Sequence, residues 1–310
     1  GQGVGSTMIF GTGVAILTSV YPPSQRGRVL GINVTAVYLG LSAGPPLGGL
    51  LTQQLGWRSI FAIACVLGIA IVVVTRMRLR GEWAGAKGES FDIVGAVLSG
   101  LALTLMMLGL GKVPAASGIG LAAAGVTILA GFVAWERRVS SPMMALGLFS
   151  GNPVFTFSNL AALIHYSATF GSTFLLSLYL QYVKGLGPQS AGLVLLAQPV
   201  VMAAGSPFAG RLSDRAEPRV VASIGMALTG SALGMFALLG MDTPIHQIVA
   251  NLALSGLGFA LFSSPNTNAV MGSVERRDYG VASAILGTMR LVGHMLSIGI
   301  AALLLAAYVG

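Results

Sequence analysis

Ten apolar runs, each about 17–30 residues long, recur along the chain at 1–20, 29–52, 59–75, 93–111, 119–135, 153–182, 190–210, 219–240, 246–271 and 280–309. A helix rises about 1.5 Å per residue, so about 20 residues cross the roughly 30 Å hydrocarbon core of a bilayer. Hydrocarbon offers the backbone no hydrogen-bond partner, so only helices or closed barrels span it. The runs are continuously apolar rather than alternating, which selects helices. The sequence predicts an all-α polytopic membrane protein with about ten transmembrane helices, the lipid bilayer being its first partner.

Composition agrees. Charged residues make up 8% of the 310 and hydrophobic ones 55%, against about 25% and 45–50% in soluble domains. Mean hydropathy is +0.84. The 44 glycines fit close helix packing in lipid. Net charge is +8, but the basic residues are scattered in short loops, which argues for topology and against nucleic acid. The single cysteine, Cys65, excludes an internal disulfide, and three dispersed histidines give no metal-ligand spacing. No cofactor motif is present. No basic n-region precedes the first apolar run, so no cleavable signal peptide is read.

Loop charge alternates. One set of loops holds Arg26, Arg28, Arg76, Arg78, Arg80, Lys87, Arg137, Arg138, Arg211, Arg215, Arg219, Arg276 and Arg277; the other holds Arg58, Lys112 and Lys184. The positive-inside rule makes the first set cytoplasmic. Both ends of the chain then face outside, and the chain reads as a segment of a longer protein in the cell (cytoplasmic) membrane.

Gly40-Leu41-Ser42-Ala43-Gly44-Pro45-Pro46-Leu47-Gly48-Gly49 is the most distinctive stretch. Gly40, Gly44 and Gly48 fall on one helical stripe, where another backbone can approach. The pattern GxxxGPxxGG resembles the antiporter motif of the major facilitator superfamily, with Gly40, Gly44, Pro45, Gly48 and Gly49 as its fixed positions. Gly210-Arg211-Leu212-Ser213-Asp214-Arg215-Ala216-Glu217-Pro218-Arg219 is similar to that family's loop motif GxxxDRxGxR; Gly210, Asp214, Arg215 and Arg219 match, while Glu217 replaces a glycine. The resemblance implies a cytoplasmic gating loop in which Asp214 pairs with arginines or a helix N-terminus. Gln2-Gly3-Val4-Gly5 resembles the end of the fourth-helix motif.

The resemblance extends to domain organisation. Residues 76–152 place a basic loop and two extra spans where twelve-helix members have a loop, as in the fourteen-helix drug:proton antiporters of the QacA/EmrB-like group. The expected division is 1–75, a partial N-terminal bundle (helices 4–6); 76–152, a linker with two extra spans; and 153–310, the C-terminal bundle lacking its last helix. The chain would cover helices 4 to 13 of fourteen, with three before it and one after. Gly3, Gly5, Gly27 and Gly40 recur at one offset as Gly256, Gly258, Gly280 and Gly293, consistent with a parallel repeat.

Polar groups within spans mark a candidate substrate or proton pathway. Arg290 lies about ten residues into its run, near the midplane, where a cation faces a cavity or a partner. His294 is one turn further along the same face, and His165 is also at mid-depth. Gln198-Pro199 and Pro265-Asn266-Thr267-Asn268 combine helix breakers with amides, and either line a path or satisfy one another. No carboxylate lies deep in a run. The acid that proton coupling requires would, by the resemblance, sit in a first helix outside this chain.

Taken with the resemblance, these features imply a monomeric secondary transporter that exports small lipophilic or drug-like molecules in exchange for protons, by alternating access. An uptake carrier for a small metabolite is the alternative. Gly40-Leu41-Ser42-Ala43-Gly44 also fits the nucleophile elbow GxSxG, a remote intramembrane serine hydrolase reading that needs a strand–turn–helix context. Otherwise no enzyme is expected.

Overall fold

The computed structural model describes residues 2–78, 92–113, 115–139, 142–144 and 146–308. Arg80, Lys87 and Ser141 lie outside the described residues, and the side-chain description also leaves out Pro45 and Gly49. Helices account for nearly all of the described chain: α1 (Gln2–Val20), α2 (Pro23–Leu55), α3 (Arg58–Arg78), α4 (Ile93–Leu110), α5 (Ala116–Glu136), α6 (Gly147–Gly151), α7 (Pro153–Leu178), α8 (Pro188–Leu195), α9 (Ala197–Arg215), α10 (Pro218–Phe236), α11 (Ile245–Gly272) and α12 (Tyr279–Tyr308). A π-helical turn, Tyr179–Val183, extends α7, and a 3-10 turn, Arg276–Asp278, precedes α12. With α6 as a short loop helix and α8–α9 as one rod, these correspond to the ten apolar runs. Eight helices are long and apolar enough to cross a membrane among the described residues. The fold is all-α and polytopic, as expected.

Local chemistry sets the boundaries. Pro23, Pro153, Pro188 and Pro218 open their helices, where a missing N–H costs nothing. Asp92 caps α4 by accepting from the Gly95 amide at 2.9 Å. Asn152 caps α7 through Phe155 N at 3.0 Å and donates to the Ser273 carbonyl at 2.5 Å, tying that loop to the end of α11. Gly56, at φ 79°, turns the chain out of α2.

One boundary and one candidate break differ from expectation. α2 starts at Pro23, before the apolar run at 29, and continues through Pro45-Pro46 to Leu55. Helix α11 continues through Pro265, because neighbours enclose it: every residue from Phe262 to Met271 is buried. Of the two candidate breaks, the one near Gln198-Pro199 interrupts its rod, at Leu196 between α8 and α9. Ser42 lies within unbroken helix and donates to the Tyr38 carbonyl at 2.8 Å; the strand–turn–helix elbow of a serine hydrolase is absent there.

Helix α11 is the axis of the packing. Ser255, Ser263, Ser264, Asn266, Thr267 and Asn268 give it a polar buried interior. Against it, α10 approaches backbone to backbone: a Cβ on Gly225 would stand 2.5 Å from Phe262 N and 2.6 Å from Gly258 O. By contrast, α3 is apolar all round with mean hydropathy 2.5 and no buried residue, a surface suited to hydrocarbon.

Candidate functional site

The first candidate region is the end of α2 and α9 that carries the basic loops. Asp214, at the end of α9, reaches the first turns of α2: Oδ1 accepts from Gly27 N at 2.7 Å and Oδ2 from Arg28 N at 2.8 Å. A carboxylate is favoured there by the positive end of the helix dipole. Gly27 and Gly210 make the approach possible, since a Cβ on either would collide with the other's backbone or its neighbours. Thr35 Oγ1 continues the seam, donating to Ala203 O at 2.9 Å. From α11, Ser264 donates to Gly27 O at 3.1 Å, and Asn268 donates to Ser213 Oγ at 3.2 Å. Arg26 donates to the Tyr279 hydroxyl at 2.6 Å and lies over its ring.

Of the predicted loop residues, Gly210 and Asp214 are thus at the contact. Of the two kinds of partner expected for Asp214, it takes the helix N-terminus through backbone amides, with no arginine pair among the described residues. Arg215 is exposed, and Arg219 pairs with Glu217 at 2.5 Å in an exposed position. Sequence reasoning singled out Gly27 only as a repeat position and did not anticipate Ser264, Ser213 or Tyr279. Their partners are distant in sequence, and no local pattern encodes them.

The second region is the glycine stripe. Beyond Thr35 the seam ends. Gly40 and Gly44 are exposed, and a Cβ on either meets nothing within 4 Å; one on Gly48 would reach only Ile60 at 4.0 Å. Among the described residues, α2 is therefore sealed to α9 at the basic end and free along the Gly40–Gly48 stripe.

The third region is at mid-depth, where Tyr166 joins α7 to α11 and α12. Arg290 donates to Thr267 Oγ1 at 2.5 Å and lies 5.6 Å over the Tyr166 ring. Its Nε is buried without a partner. His294 is 5.0 Å from the Tyr166 ring and stacks on Phe170 at 4.4 Å. His165, 3% exposed, stacks on Phe262 at 4.0 Å and meets Phe259 and Tyr166 edgewise, with Nε2 unpartnered. Tyr38 of α2 touches the same group through Phe259 at 5.7 Å.

Arg290, His294 and His165 thus converge on one tyrosine. Asn266 adjoins Thr267 in sequence and is buried with Nδ2 unpartnered. Gln198 is separate: it accepts from Thr173 at 3.5 Å and donates to Ser255 at 3.3 Å, linking α7, α9 and α11. Sequence reasoning did not identify Tyr166 or Thr267 as the groups that gather the cluster. Among the described residues no group of three or more His, Cys, Asp or Glu side chains could hold a metal.

Comparison with known proteins identifies the relatives of this chain. The chain is 31% identical over 293 residues to the riboflavin transporter RibZ of Clostridioides difficile, covering 93% of this chain and 63% of that protein. It is 30% identical over 314 residues to the tetracenomycin C resistance and export protein of Streptomyces glaucescens, covering 100% and 58%. To the multidrug resistance protein Stp of Mycobacterium tuberculosis it is 29% identical over 317 residues, covering 99% and 58%. The chain thus spans about three fifths of the length of these relatives. The profile of the Major Facilitator Superfamily matches residues 1–297. With helices paired as described and relatives named as transporters along its whole length, the chain belongs to the Major Facilitator Superfamily.

Proposed function

We propose that this chain is the central part of a fourteen-helix drug:proton antiporter, its helices 4 to 13, working in the cytoplasmic membrane as a monomer. Small lipophilic or drug-like molecules leave by alternating access between the 1–75 and 153–310 bundles, with 76–152 as a peripheral hairpin. The observation that carries the reading is the asymmetry of α2. Its basic end is sealed onto α9 and α11 by Asp214, Gly27 and Ser264, while no described residue would meet a side chain at Gly40 or Gly44. Two bundles that meet at one end and part at the other suit an outward-facing state. The glycine stripe is then the surface that closes in the opposite state. Relatives named for tetracenomycin C export and multidrug resistance support export.

A second reading, uptake of a small metabolite, is favoured by the relative named as a riboflavin transporter. Reconstitution of the full-length protein in liposomes separates the two. With an acidic lumen, antiport drives planar dyes of either charge inward while the proton gradient collapses, and the collapse needs the dye. Transport of riboflavin without gradient collapse would establish the uptake reading instead. Gradients unaffected by every compound tested would refute proton antiport.

A further inference from the structure

The mid-depth cluster has a charge preference that the transporter reading alone leaves open. Arg290 carries a permanent positive charge. Its hydrogen-bond partner among the described residues is the neutral Thr267 hydroxyl at 2.5 Å. That hydroxyl's own hydrogen goes to the Ser263 carbonyl at 2.7 Å, so its lone pair faces the guanidinium and holds the fork in place. Arg290 takes part in none of the ion pairs among the described residues, and its Nε is buried without a partner. A guanidinium with no carboxylate partner among the described residues is costly at this depth. A ligand that brings a negative oxygen removes that cost only while it is bound.

The surroundings specify the rest of the ligand. The Tyr166 ring lies beneath the guanidinium. Beside it, His294 and Phe170 form a stacked pair with an interplanar angle of 26°. Phe170 is 46% exposed, and Arg290 and His294 are half-buried, so the charge is approached across flat π surfaces. Such surfaces favour planar conjugated molecules through offset stacking. A planar fork matches a carboxylate, enolate or phenolate oxygen in the plane of such a ring system.

We propose, resting on the transporter reading above, that the substrate is a planar conjugated anion, its oxygen held by Arg290 and its rings laid against His294 and Phe170. Fluorescein and rhodamine 123 test this, because they share a xanthene core and differ in charge. Binding to the purified full-length protein is followed by fluorescence anisotropy. Fluorescein should bind roughly tenfold more tightly or better, the scale of one charge-assisted contact. Arg290→Gln should remove that preference without weakening rhodamine 123. Arg290→Lys should keep part of it, since lysine preserves charge but not the fork. Should Arg290→Gln fail to elute as a monodisperse species, Arg290→Lys and Thr267→Val carry the test, each expected to weaken fluorescein alone.

Equal or tighter binding of rhodamine 123 to the wild type overturns the proposal. So does unchanged fluorescein affinity in every variant, the outcome if a carboxylate elsewhere in the full protein neutralises Arg290. Binding of neither dye overturns it as well. Transport in liposomes keeps the two readings apart: if a cationic dye still collapses the proton gradient, the antiporter reading stands and only the anionic substrate class falls.

Discussion

Replacing Asp214 with Asn tests whether the basic end is held shut as described. The carboxylate accepts two amides of α2, at 2.7 and 2.8 Å. A hydrogen bond to a charged group contributes about 1.5–3 kcal/mol, and the lower end suits a half-buried side chain. Asparagine keeps one oxygen for one amide and turns its own NH2 group toward the other, so one of the two bonds is lost. The attraction of the charge for the start of α2 adds about 0.3–1 kcal/mol. The total is about 2 kcal/mol, or roughly a thirtyfold shift toward the open arrangement.

Ser264 gives the readout, because it is 0% exposed and hydrogen-bonded to Gly27 O at 3.1 Å. A cysteine at 264, in full-length protein otherwise free of cysteine, reacts with N-ethylmaleimide only when α2 lifts away from α11. The Asp214→Asn change should raise that rate by at least tenfold. Identical rates with and without the substitution would refute the reasoning, since the carboxylate would then contribute nothing to closure.

Two further outcomes are expected. Gly44→Leu should leave expression near normal, because a side chain there meets open space in this state, yet transport should fall, because leucine would hold apart helices that close in the opposite state; a Gly44→Leu protein with full dye efflux would count against that. Gly225→Ala should destabilise the fold by about 1–3 kcal/mol through overpacking, read as a lower melting temperature in detergent, since its Cβ would stand 2.5 Å from Phe262 N; Gly230→Ala, where the Cβ meets nothing, should not, and equal melting of the two would show that the α10–α11 contact is not tight.

Much of the fold is legible because lipid leaves few options. A continuous apolar run can only be a helix, and loop prolines and glycines mark its ends. Boundaries were misread where a polar stretch is held helical from outside. Ser24-Gln25-Arg26 looks like loop, yet Pro22-Pro23 pre-set the backbone and Asp214 fixes the first turns of α2. Pro265 looks like a break, yet burial on all sides keeps the helix continuous. The depth of Arg290 is legible because it is the one arginine or lysine deep within an apolar run. That Thr267 and Tyr166 receive it is not, because helix pairing is set by contacts between segments far apart in sequence. The Gly40–Gly48 stripe reads as a packing surface from its spacing, yet no described residue packs against Gly40 or Gly44 here, because which backbone meets the stripe is again set by distant segments.

The energetics of the closed end bear on how such a protein switches. Moving a two-state equilibrium from 1:99 to 99:1 requires about 5.5 kcal/mol. The basic end is held by the two Asp214 bonds, Ser264 to Gly27 and Arg26 to Tyr279. At about 1 kcal/mol for the neutral bond and more for the charged ones, they add up to several kcal/mol, a scale that ligand binding can overcome. Ser264, which touches α2, and Thr267, which holds Arg290, lie within one turn of α11. The carbonyl of Ser263, the residue before Ser264, accepts the Thr267 hydroxyl, and the Ser263 hydroxyl lies 3.5 Å from that of Tyr166. On the proposal above, an anion held by Arg290 with Thr267 in place would load the same turn that seals the basic end. Coupling of site and seal needs no long relay when both share one turn of one buried helix.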